Sequence, residues 1–352
     1  MTKHARVARL VAALLLISTV DVPWARAQQA TPATTANQTR TETEILKTIV
    51  FITDELKKLD QHGKPRKLFG TGFLVAVHDS RLNDRMFTYI VTNRHVAEAI
   101  EEDENGKCTP LQIQKAYVTM NLKEPINGKR ADQVGITASQ QRHWFFPDDE
   151  ASDLAVMPFG LNEKYDVNVI NLEQFLTTES LDKLHIAPGD RVLTGGFFYG
   201  YAGLHEIQPI LREGVLAMLP DGPMTTTTCK SGDLYLADVH VIPGNSGSPI
   251  FIIPALPLGS GVSFGGTQNA FGLLGVVSGY MQETENLTLK ASTTWKGSVQ
   301  ANSGIAVVVP AQQLKDLLEG PEMQRLRDET VEQIRRSLIF GQGDNLSGRL
   351  SP

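Results

Sequence analysis

The sequence predicts an all-β fold, a barrel or a sandwich, and three observations predict it. Short runs rich in β-branched and aromatic residues recur along the chain, separated by Gly, Pro, Asp and Asn. Thirty glycines and eighteen prolines supply many turns. The runs do not alternate with long helical patterns, which disfavours a doubly wound α/β sheet. A chain of 352 residues can bury a substantial core, as one large domain or two small ones.

From the N-terminus, Lys3, Arg6 and Arg9 precede an apolar run of 11 residues, Leu10 to Val20, and Ala25-Arg26-Ala27 follows with a small-x-small pattern. Residues 1–27 therefore read as a secretory signal peptide. The run is shorter than the roughly 20 apolar residues of a spanning helix. No later segment is long and apolar enough to span. The exported chain is expected to be extracytoplasmic, in the periplasm or the medium, and not an integral membrane protein.

Removing residues 1–27 takes away four cations and one anion and moves the formal charge from −6 to −9. An acidic chain without a basic run is not expected to bind nucleic acid. Residues 28–43, rich in Thr, Ala and Gln, read as a flexible linker. Ile45, Ile49, Ile52, Leu56 and Leu59 recur at near-helical spacing, so 44–60 is a helix or a first strand.

Strands are expected over 73–77, 87–92, 116–122, 154–159, 191–198, 215–219, 235–242, 249–253, 273–277 and 305–309. The Gly-, Ser- and Thr-rich stretches 254–271 and 281–303 read as long loops. A short helix is expected over 312–318, after Pro310. A second, amphipathic one is expected over 322–338, with Met323, Leu326, Val331, Ile334 and Leu338 near one face and packed on the barrel. Residues 341–352 read as a disordered tail. Two cysteines, Cys108 and Cys229, could pair in an exported protein or stay as thiols, and spacing does not decide between them. Neither fits a zinc or redox motif.

Three segments carry chemistry together. His95 follows the strand-like run 89–92, where a rigid element can hold it at the edge of a cleft. Asp153 stands immediately before the apolar run 154–156. Ser246 lies in Gly244-Asn245-Ser246-Gly247-Ser248-Pro249, where glycines let the backbone turn tightly and bring amide N–H groups close to a substrate carbonyl.

Gly244 to Pro249 resembles the active-serine motif of trypsin-like serine proteases, nearest to the bacterial HtrA/Deg and glutamyl-endopeptidase branches. Thr92-Asn93-Arg94-His95-Val96 is similar to their histidine motif and Asp153-Leu154-Ala155-Val156 to their aspartate motif. Gly70-Thr71-Gly72-Phe73, Arg212-Glu213-Gly214-Val215 and Ser303 to Pro310 resemble supporting strands. The likeness runs from about residue 69 to about residue 318.

The order His95, Asp153, Ser246, with gaps of 58 and 93 residues, is the chymotrypsin-type order. Position 248 is serine, so the Gly-x-Ser-x-Gly elbow of α/β-hydrolases is not formed.

The resemblance implies two six-stranded antiparallel β-barrels with C-terminal helices. The first barrel, 44–184, would carry His95 and Asp153. The second, 185–318, would carry Ser246, and 319–352 would hold the closing helix and tail. It implies a serine endopeptidase acting on polypeptides, with Ser246 as nucleophile, His95 as general base, Asp153 as its orienting partner and the N–H groups of Gly244 and Ser246 as oxyanion hole. No metal or cofactor is implied. The alternative is an inactive barrel that binds peptides or proteins.

Asn245 replaces the aspartate of the digestive enzymes, so activation by an ion pair to a new N-terminus is not expected. By rough alignment, His240, Val277, Ser278 and Gly279 fall at the primary specificity pocket. His240 there would favour an acidic substrate side chain, or be mere filler. The 34 residues after Leu318 are too few for a PDZ domain, since domains take at least about 50.

Overall fold

Ile49 opens a strand and not a helix, because segment 65–78 pairs with the chain from Ile49 on and segment 113–126 pairs with its other side from Phe51 on. The structure is a computed structural model that describes residues 42–60, 62–82, 86–103, 107–136, 144–225, 227–253, 272–290 and 294–343. The expected signal peptide, the linker up to residue 41, the stretch 254–271 and the tail from 344 lie outside these residues.

β1 (Ile49–Leu59) runs antiparallel to β2 (Pro65–His78), pairing Ile49 with Phe73 and Thr53 with Phe69. β2 pairs with β3 (Met86–Thr92), which leads into the four-residue helix α1 (Arg94–Ala97). β4 (Ile100–Glu102) and β5 (Cys108–Pro110) form a small separate hairpin. β6 (Ile113–Ile126) returns along the free edge of β1 and pairs with β7 (Lys129–Ile136). β8 (Ala155–Pro158) adds to β3, and β9 (Ile170–Asn171) lies parallel to β2. The sheet order is β7-β6-β1-β2-β3-β8, with β9 off that path. Its ladder does not close into a ring among the described residues, but it curls around Val50, Ile52, Leu74, Ile90, Val118, Met120 and Met157, all buried.

After the short helix α2 (Thr178–Lys183), the second sheet closes completely. β10 (Arg191–Gly196) and β11 (Ile210–Met218) are followed by a two-stranded hairpin, β12 (Met224–Thr225) and β13 (Ser231–Gly232). β14 (Tyr235–Asp238), β15 (Pro249–Ile253), β16 (Gly272–Lys290) and β17 (Thr294–Pro310) complete the barrel β10-β11-β14-β17-β16-β15. Val192, Leu216, Ala237, Ile250, Leu274 and Val308 fill its interior.

Two helices follow, α3 (Ala311–Glu319) and α4 (Pro321–Gly343). Leu314, Leu318 and Met323 join one continuous core with Phe73 and Val91 of the first sheet and Phe251 and Val309 of the second. Arg327 is 4% exposed, and its guanidinium donates to Tyr89 Oη at 3.1 Å and to the Leu318 carbonyl at 2.8 Å. The amphipathic C-terminal segment thus packs on the body of the molecule, and it stays helical to Gly343, past the point where the sequence reads as tail.

One expectation is corrected here. Residues 281–303 are not a loop: apart from 291–293, they are strand. The ladder of β16 and β17 continues from Gln282↔Asn302 to Lys290↔Thr294. The two strands supply each other's hydrogen-bond partners, so strand structure persists where residues 281–285 and 298–300 are exposed.

Candidate active site

The register of β3 and β8 brings His95 and Asp153 together. Thr92 pairs with Ala155 and Val91 with Val156, so the residues just beyond each strand end are neighbours in space. Asn93 locks the junction: its side-chain amide donates to the Asp153 carbonyl at 2.8 Å. His95 Nδ1 then lies 2.8 Å from Asp153 Oδ2, and the His95 backbone N–H donates to Oδ1 at 3.0 Å.

Asp153 is wholly buried. Burial pushes its carboxyl pKa up, but the charge and hydrogen bond of His95, with the hydroxyls of Ser278 and Thr227, outweigh that and hold it below the ordinary carboxylate value. Thr227 Oγ1 and Ser278 Oγ both contact Oδ2 and lie 2.6 Å from each other. A buried carboxylate with this many donors stays ionised.

Ser246 sits in the turn between β14 and β15, and the turn is fastened on both sides. The Thr71 N–H donates to the Ser246 carbonyl at 2.8 Å, and Thr71 Oγ1 donates to the Gly244 carbonyl at 2.7 Å. The Gly247 N–H donates to the Val277 carbonyl at 2.8 Å. Asn245 is buried: its Oδ1 accepts from the Ile242 N–H at 3.0 Å and its Nδ2 donates to the Phe197 carbonyl at 2.8 Å. The neutral amide therefore braces the turn, a job that needs both a donor and an acceptor.

Gly244 and Gly247 have φ of +99° and +86°. A Cβ on Gly247 would lie 1.9 Å from the Thr71 carbonyl oxygen, so glycine is required there. The N–H groups of Gly244 and Ser246 make no hydrogen bond among the described residues, which leaves them available to an incoming oxygen.

His95 and Ser246 line one cleft of about 450 Å³, together with Val241, Thr227 and the strand segment 277–282. The Ser246 hydroxyl bonds the Ser278 carbonyl at 3.3 Å and makes no hydrogen bond to His95 among the described residues. Val277 and Gly279 line the cleft. Ser278 is there too, but its hydroxyl is turned to Asp153.

His240 is not brought to the site. It lies beyond the end of β14 and is exposed, while its neighbours Val239 and Val241 are buried and Val241 lines the cleft. Sequence reasoning missed Thr71 as an anchor of the serine turn and Thr227 as a partner of Asp153. The Gly70-Thr71-Gly72 segment carries a signal as part of a supporting strand, whereas nothing distinguishes Thr227 within Thr225 to Thr228.

A family model described as a trypsin-like peptidase domain matches residues 70–252, more than half of the chain. The chain belongs to that family. The span takes in His95, Asp153 and Ser246.

Among solved structures, the crystal structure of Deg5 is 17% identical, covering 69% of this chain and 85% of that one at a TM-score of 0.40. The HtrA-type protease AlgW with decapeptide is 13% identical, covering 79% of this trypsin-like peptidase and 66% of the other chain, also at a TM-score of 0.40. Nothing among curated proteins matches. Among the described residues, this trypsin-like peptidase has no helix long and apolar enough to cross a membrane and no cluster of metal-ligating side chains.

Proposed function

We propose that the chain is a serine endopeptidase that cleaves polypeptides through an acyl-enzyme. The observation that carries this reading is the hydrogen-bonded pair of His95 and buried Asp153 at the cleft that also holds Ser246 and its two free amides. This reading requires Ser246 Oγ to give up its contact with the Ser278 carbonyl and turn to His95 Nε2. Hydrogen bonds of this kind are commonly loose before substrate arrives.

His95 takes the hydroxyl proton as Ser246 attacks the scissile carbonyl carbon. Asp153 fixes the tautomer and stabilises the imidazolium. The oxyanion accepts from the Gly244 and Ser246 N–H groups, each donor contributing about 10²–10³ in rate. His95 then protonates the leaving amine, and water hydrolyses the ester by the same proton path in reverse. Val277 and Gly279 shape the pocket for the side chain before the cut. The apolar leader at residues 10–20 and the Cys108–Cys229 disulfide support an extracytoplasmic location.

The second reading is a barrel that binds peptides without cutting, and the Ser246 contact with the Ser278 carbonyl is the observation that favours it. Casein and a quenched peptide library, incubated with residues 28–352, separate the two. Cleavage that disappears in Ser246→Ala supports the protease. Peptide binding without cleavage by folded protein supports the rival.

A further inference from the structure

Thr227 belongs to no motif, yet its hydroxyl reaches the buried carboxylate of Asp153. Oδ2 is contacted by His95 Nδ1, by Ser278 Oγ and by Thr227 Oγ1, and the two hydroxyl oxygens are 2.6 Å apart. Two hydroxyl protons thus serve three contacts. Thr227 either donates to the carboxylate itself or donates to Ser278, which then donates to Oδ2. In both arrangements it fixes the plane of the carboxylate, and with it the direction in which His95 Nδ1–H must point.

The holding of Thr227 is itself unusual. It sits at the tip of the β12–β13 hairpin, which has only two ladder pairs, Met224↔Gly232 and Thr225↔Ser231. Such a hairpin does not keep its shape unaided. Here the tip is tied down at three points. Thr228 Oγ1 donates to the Glu150 carbonyl at 2.9 Å, and Lys230 Nζ pairs with a Glu150 carboxylate oxygen at 3.2 Å. Cys229, in the left-handed region at φ +62°, is disulfide-bonded to Cys108 in β5. Cys108 Sγ also lies 3.8 Å from the Thr227 carbonyl oxygen.

Glu150 is three residues before Asp153, and β5 pairs with β4, which follows α1 and its His95. The tethers therefore run to the two segments that carry the histidine and the aspartate. We infer that Thr227 is a positioning residue for the His95–Asp153 pair, and that the Cys108–Cys229 bridge sets where Thr227 stands. The effect on rate rests on the proposed triad, whereas the effect on the histidine ring does not.

The test has two readouts. In Ser246→Ala protein, the Nδ1 proton of His95 is followed by NMR. Thr227→Val shifts that resonance, Thr227→Ser restores it, and Cys108→Ala with Cys229→Ala shifts it in the same sense. Adding Thr227→Val to the bridge-free protein then changes little, as expected of groups acting as one unit. In protein with Ser246 intact, Thr227→Val lowers kcat about tenfold, the size of one hydrogen bond to a charged group, with KM unchanged and with rescue by Thr227→Ser.

A folded Thr227→Val protein with resonance and kcat both unmoved overturns the inference. A shift in Thr227→Val but none in folded bridge-free protein overturns the role of the disulfide. If the bridge-free protein does not fold, Thr227→Val still decides the role of Thr227, because it keeps the bridge. Absence of hydrolysis with a shifted resonance counts against the protease reading and leaves the positioning role in place.

Discussion

A carboxylate taken wholly out of water keeps its charge only when donors occupy its lone pairs. Asp153 meets that condition with the ring and backbone of His95 and two hydroxyls. Replacing it tests the arrangement sharply. Asp153→Asn keeps the shape but presents an amide where His95 needs an acceptor, and kcat is predicted to fall about 10⁴-fold, measured on a peptide ester. Gly247→Ala tests the serine turn. Its Cβ meets a backbone oxygen at a positive φ, so urea unfolding is predicted to show a loss of at least about 2 kcal/mol. At this scale the sequence was legible where a motif ties a residue type to a backbone shape: Ser246 between glycines, Asp153 before a strand. It was not legible where a contact depends on a distant loop. Thr227 lies 74 residues from Asp153, and a threonine in a run of four carries no sign of which one turns inward.

Strands buried along a continuous run were legible, because they read as short β-branched and aromatic stretches, whereas His240 was assigned to the pocket by rough alignment alone and lies exposed beyond the end of β14. β2, β3 and β15 are buried and rich in β-branched residues. β7, Lys129–Ile136, is mostly polar and lies at the edge of the first sheet, so it shows no apolar period. The outer parts of β16 and β17 fail in the same way. Residues 281–285 and 298–300 are exposed, so the chain has no pattern to display and the strands are defined by pairing alone. Because this part of the hairpin buries no described side chain, replacing 283–301 with a short turn is predicted to leave the melting temperature of the barrel within a few degrees, measured by calorimetry. A fall of more than about 10 °C, a loss of several kcal/mol, would show that the hairpin supports the core.

Across the whole molecule, two sheets and the C-terminal helices share one core, and the site lies where segments of both sheets meet. The first sheet holds a second buried acid. Asp54 in β1 is 2% exposed, and burial pushes its carboxyl up to about 7. In the unfolded chain it titrates near its ordinary value of about 4. The folded state therefore binds the extra proton between those values. The stability contributed is complete below about pH 4 and is lost as the pH rises through about 7, by up to about 4 kcal/mol. Asp54→Asn is predicted to remove most of the difference in urea stability between about pH 5 and about pH 8, and to leave it untouched if Asp54 is instead solvated.

The central claim, that Ser246 is an activated nucleophile, is tested most directly by a fluorophosphonate probe and mass spectrometry of the adduct. The account predicts one phosphonyl group, on the peptide containing Ser246, which disappears in His95→Ala. A folded protein that takes no label, or takes it on another residue while Ser246 stays free, would contradict it.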